Sequence, residues 1–95
     1  MALTVIATIE AKSQYEKEVE LALRAMLAPT RAEAGCYQYT LNQEIEAPYR
    51  FLMMERWRNA QALDEHMATP HMAQLLKALD GLTLGVTITR LRQID

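Results

Sequence analysis

Glu33-Ala34-Gly35-Cys36-Tyr37-Gln38-Tyr39, then Glu55-Arg56-Trp57, then His66-Met67-Ala68-Thr69-Pro70-His71 fall in order along the chain, and the run that holds them decides the fold. Gly35 punctuates. Cys36 to Glu44 and Tyr49 to Trp57 then read as two strands joined around Glu46-Ala47-Pro48, for which a hairpin is the natural connection. Asn59 is placed to cap a short helix through Met67, and Thr69-Pro70 is an N-cap and first-position pair that starts another. Met72, Leu75, Leu76 and Leu79 give that helix its apolar stripe. Gly81 supplies the left-handed residue that stops it.

Working outward, Leu82, Leu84, Val86 and Ile88 alternate with Thr83, Gly85, Thr87 and Thr89 in a last strand that runs to Leu91. On the other side, Leu3 to Glu10 is short, β-branched and apolar on both alternating sets, which reads as a strand covered on both faces. Ser13-Gln14-Tyr15-Glu16 has capping-box spacing and predicts a helix start. Val19, Ala22, Leu23, Met26 and Leu27 recur at helical spacing, and Pro29 predicts a kink or an end near Leu27. The order β-α-β-β-α-β, with its second helix broken in two, is the α+β ferredoxin-like arrangement with an antiparallel sheet. Residues 1–95 form a single domain without linkers or repeats. Helices cover one face of such a sheet, yet the first and third strands (Phe51-Leu52-Met53-Met54) are apolar on both, so the second face is expected to meet another sheet.

A chain of 95 residues buries only roughly 65% of its unfolded surface, and has little core to spare. Hydrophobic residues are 51% and charged residues 23%, which predicts a packed globule with a surplus of apolar surface for a partner. Net charge is −2, and no basic cluster is interleaved with aromatics, so nucleic acid finds no track to bind. The lone Cys36 excludes an internal disulfide framework and fits a reducing compartment. The first residues have neither a basic region nor an apolar run long enough to span a bilayer; a cytoplasmic location without membrane contact is expected.

In type and spacing the three quoted pieces resemble the antibiotic biosynthesis monooxygenase (ABM) domain family, small dimeric proteins that include cofactor-independent oxygenases of phenols and quinols. The resemblance covers nearly the whole chain. It implies a dimeric α+β barrel, a small aromatic substrate and O2. It also implies that the third-strand face carrying Phe51, Met53, Glu55 and Trp57 looks toward the helices and lines a pocket. Similar domains include haem-degrading enzymes, a small-molecule isomerase and proteins without a known substrate.

Glu55 and Trp57 are two apart on a strand and therefore share a face with Phe51 and Met53. An indole there can stack on a flat ring and donate its N–H, while a carboxylate among apolar neighbours is pushed toward protonation or orients an adjacent histidine. Core packing for Trp57 and an ordinary ion pair for Glu55 are the plain alternatives. His66 matches the family's pocket histidine, and an imidazole is the obvious proton acceptor from a phenol. His71, in the first turn after Thr69-Pro70, is expected to stay neutral and to be structural or to bind substrate through one hydrogen bond. Tyr39 matches the family tyrosine and has the same strand parity as Tyr37. Glu33 and Gly35 read as turn architecture, and Cys36 as a small buried hydrophobe.

No cofactor is expected. None of Gly35, Gly81 and Gly85 builds a phosphate-cradling loop, and His66 and His71 are separated by the Thr69-Pro70 break, so no metal site is expected either. The haem-degrading relatives use an asparagine on the first strand, whereas the first asparagine here is Asn42. The leading function is a cofactor-independent monooxygenase, with His66 as base and Trp57, Tyr39 and Glu55 as its catalytic companions. Phe51, Met53 and His71 are the expected substrate contacts. The alternatives are an isomerase or proton-transfer enzyme acting on a small carbonyl metabolite, and a non-catalytic binding or stress-associated protein.

Overall fold

A computed structural model describes residues 2–95. Strand β1 (Leu3–Ala11) alternates buried and half-buried positions along its length, and α1 (Glu16–Arg24) and α2 (Leu27–Arg31) follow. The hairpin strands are β2 (Cys36–Gln43) and β3 (Arg50–Trp57). Helices α3 (Ala60–Met67) and α4 (Pro70–Leu79) then lead to β4 (Thr83–Leu91). The sheet order β2-β3-β1-β4, with every neighbouring pair antiparallel, is the ferredoxin-like topology expected from the sequence.

The predicted punctuation of the second half operates atom by atom. Asn59 Oδ1 accepts from the Ala62 amide at 2.9 Å, and Thr69 Oγ1 accepts from the Met72 amide at 3.2 Å. Pro70 occupies the start of α4, where a missing N–H costs nothing, and Gly81, with φ of +78°, turns the chain away just past the helix end.

The first half departs from expectation at one point. Ser13 does not cap α1: the helix starts at Glu16 after a turn in which Gln14 takes φ of +74°, so the Glu16 carboxylate accepts from the Gln14 amide at 3.2 Å. The reciprocal serine bond is absent because the turn closes from Tyr15 N–H to the Lys12 carbonyl. Pro29 acts as expected: it cannot bond to the Ala25 carbonyl four residues back, and the helix breaks there, just short of Leu27. The helical run divides ahead of it, at Ala25-Met26, and places Pro29 in the first turn of α2, where its absent N–H would have had no intrahelical acceptor.

Val5, Ala7, Ile9, Phe51, Met53 and Trp57 meet Val19, Leu23, Met26, Leu63 and Leu79 in one core between sheet and helices. Gly35 is fixed by proximity rather than by backbone shape. A Cβ on it would stand 2.5 Å from that of Ala62, so the turn before β2 lies hard against α3. The opposite sheet face carries no helix, and Ile6 and Leu52 stay half-buried there with Met54 exposed. Leu84, Val86, Ile88 and Leu91 of the edge strand β4 are exposed too. No described helix is long and apolar enough to cross a membrane.

Candidate active site

Between the sheet and helices α3 and α4 lies a cavity of about 80 Å³, with Tyr39, Met53, Glu55, His66 and Met72 among its lining and Val86 and Ile88 at its β4 side. A larger hollow of about 340 Å³ lies over β2, and Phe51 borders it rather than the histidine-bearing cavity. The smaller cavity is the one with chemistry.

Each polar side chain arrives by a specific local device. Tyr39 is buried while Tyr37 is exposed, although both were expected on one face. A β-bulge between Cys36 and Gln38 inserts an extra residue opposite β3, reverses the parity, and brings Tyr39 into register with Glu55. His66 is carried on the last turn of α3 and is 1% exposed. Its carbonyl accepts from the Thr69 hydroxyl at 2.7 Å, so the cap of α4 also pins the end of α3. His71 follows in the first turn of α4.

Glu33 joins the two histidines. Its Oε2 lies 2.7 Å from His66 Nδ1 and 2.7 Å from His71 Nε2. A carboxylate oxygen only accepts, so each ring donates a proton to it, and in a neutral ring the lone pair is left on the other nitrogen. For His66 that nitrogen is Nε2, on a ring that lines the cavity. The helix break between the histidines, which suggested separation, is what allows their rings to converge to 5.8 Å. The three ligand-type atoms lie within 4.8 Å of one another, a grouping able to hold a metal ion and one that sequence spacing argued against.

The second carboxylate has another partner. Trp57 Nε1–H donates to Glu55 Oε1 at 2.9 Å, and both residues are buried. Glu55 therefore does not orient a histidine. Burial pushes its carboxyl up to about 7, opposed by the Trp57 hydrogen bond and reinforced by the charge of Glu33. Burial and then the Glu55 charge also push the Tyr39 phenol well above its usual range, which keeps it protonated.

Of the expected site residues, the structure brings Tyr39, Met53, Glu55 and His66 to one cavity. Trp57 is fully buried behind them: its N–H is taken by Glu55, its ring lies 4.6 Å from that of His66, and it does not border the cavity. Phe51 is turned into the core toward α1 and α2. His71 faces Glu33 and a separate shallow surface site near Gln74, so its contact is with the carboxylate rather than with a cavity occupant. Glu33 is the residue the sequence reading missed. A carboxylate two residues before an obligate glycine gave the only hint, and its meaning depends on histidines more than thirty positions away.

The sequence profile described as antibiotic biosynthesis monooxygenase matches residues 2–78. The crystal structure of PA3566 from Pseudomonas aeruginosa superposes with a TM-score of 0.95 at 39% identity, over 99% of this chain and 95% of that one. Rv0793 from Mycobacterium tuberculosis gives 0.93 at 31% identity, over 100% of this chain and 97% of that one. In sequence, the chain is 31% identical to YgiN of Escherichia coli K12, described as a probable quinol monooxygenase, over 90% of this chain and 92% of that protein. With the ferredoxin-like topology and the buried histidine site already in place, these likenesses assign the chain to the antibiotic biosynthesis monooxygenase family.

Proposed function

We propose that this chain is a cofactor-independent monooxygenase that oxidises an electron-rich phenol or hydroquinone with O2, working as a homodimer. The observation that carries the reading is the His66–Glu33 contact: Glu33 accepts from Nδ1, and since His66 lines the cavity while Glu33 and His71 do not, Nε2 is the nitrogen left to act as base toward it. Deprotonating the bound ring makes it a better electron donor to O2, and a dry cavity holds the anion and the oxygen species together until the new C–O bond forms. For a hydroquinone the sum is hydroquinone plus O2 to hydroxyquinone plus water, so the substrate supplies every electron. The positive charge that develops on His66 is met by Glu33.

The cavity size narrows the substrate. A dry cavity of about 150 Å³ is known to admit benzene, so a space of about 80 Å³ takes one ring only when the adaptable Met53, Met67 and Met72 walls give way, and a fused polyketide-like system is too large. Tyr39, held protonated, is available to donate to a substrate oxygen. Trp57 acts from behind, packing against His66 and holding Glu55.

The dimer accounts for the apolar surface that the helices leave bare. Leu84, Val86 and Ile88 are 67%, 49% and 48% exposed, and Val86 and Ile88 also border the cavity. A second copy covering this edge would bury them and close the site at once, through a large isologous interface. A second reading, proton transfer on a small carbonyl compound, draws support from Glu55: a carboxyl near 7 beside His66 provides two proton carriers in one cavity.

Metal- and flavin-free protein supplied with a one-ring hydroquinone under 18O2 separates the two. Oxygen uptake with one labelled atom in the product supports the monooxygenase; carbonyl isomerisation without oxygen uptake replaces it with the second reading.

A further inference from the structure

We propose that Glu33, His66 and His71 form a binding site for a divalent transition ion of the zinc class, and that occupancy disables the base on His66. The second half rests on the reading of His66 as the proton acceptor; the first half does not. Two imidazole nitrogens and one carboxylate oxygen are a donor set suited to zinc, and they converge here from the turn before β2, the end of α3 and the start of α4.

The ligand-type atoms now stand 2.7 Å apart in two hydrogen bonds. Tetrahedral ligation with bonds of about 2.0–2.1 Å needs separations of about 3.3 Å, so each contact has to open by roughly half an ångström. The side chains of Glu33 and His71 are 17% and 19% exposed, which gives an ion an entry path and a water for its fourth position. His66, 1% exposed, is the buried anchor.

The consequence follows from imidazole chemistry. An ion on Nδ1 of His66 takes the place of the ring proton, and a neutral imidazole metallated at Nδ1 carries its proton on Nε2. The lone pair facing the cavity becomes an N–H, and the ring changes from acceptor to donor without leaving its place. The ion would sit against Glu33 and His71, neither of which lines the cavity, so it inhibits without blocking it.

Titration calorimetry with zinc chloride on the metal-stripped protein is expected to give one ion per chain. Removing an outer-shell partner of a metal ligand typically weakens binding about 10- to 100-fold, and losing a ligand must cost at least as much, so His71→Ala and Glu33→Gln should each do so. Glu33→Gln keeps an acceptor oxygen and serves where His71→Ala fails to fold. Nitrogen-15 spectra of His66 should show the ring proton moving from Nδ1 to Nε2 as zinc is added, and hydroquinone oxidation should fall and return with chelator. No binding, binding untouched by both variants, a proton that stays on Nδ1, or a zinc-loaded enzyme at full rate overturns the proposal. Calorimetry and spectra need no turnover, so an inactive protein that still binds zinc in this way would reject the proposed reaction and keep the site.

Discussion

Glu55→Gln isolates the cost of a buried carboxylate. In the unfolded chain this carboxyl has its ordinary value of 4.5, and in the folded protein it is raised to about 7. The unfolded chain therefore releases its proton first as pH rises. Stability is unaffected by Glu55 below the unfolded value and is lost progressively as pH climbs to the folded value. A shift of about 2.5 units at about 1.4 kcal/mol per unit sets the full loss near 3 kcal/mol, of which about 2 to 3 falls between about pH 5 and about pH 8. Glutamine keeps an oxygen to accept from Trp57 Nε1 and carries no charge. Urea unfolding at one fixed protein concentration, at both pH values, should show the wild type losing about 2 kcal/mol more than the variant. Equal losses would refute the claim that Glu55 is held near neutrality by burial.

Gly35→Ala should destabilise the fold by about 1–3 kcal/mol, because the new methyl overlaps Ala62; thermal melts check it, and Ala62→Gly in the same chain should restore most of the loss. Trp57→Phe removes the donor to Glu55 Oε1 and should raise the Glu55 carboxyl further, read from its carbon-13 titration; an unchanged midpoint contradicts that bond. Ile88→Lys puts a charge on the exposed apolar edge and should shift sedimentation from dimer toward monomer, whereas a wild type monomeric at micromolar concentration removes the dimer proposal.

Most of the fold was legible because its signals are local. Asn59, Thr69-Pro70 and Gly81 act within one turn of themselves, and the alternation in β1 and β3 reports which faces are covered. The start of the first helix was misread at Ser13, where a positive-φ turn at Gln14 moved the boundary, while the break expected from Pro29 near Leu27 is present at Ala25-Met26. In the site, Tyr39, Glu55 and His66 were identifiable by type and position. The parity of Tyr37 was not, since a bulge is a property of two strands together. Glu33 stayed hidden for the same kind of reason: its role exists only when α3 and α4 bring two rings to one oxygen. Trp57 was placed on the face it shares with Glu55, but its hydrogen-bond partner was not read, because sequence parity gives a face and not the partner of an indole N–H.

The most direct test of the central claim is oxygen uptake by metal-stripped wild type and His66→Ala on a one-ring hydroquinone, with folding and dimerisation verified for both. Removing a general base typically costs about 10²- to 10⁴-fold, so the variant should lose at least that order of rate. A His66→Ala protein as active as wild type, or a wild-type rate that follows residual iron or copper and vanishes with chelator, would contradict the account.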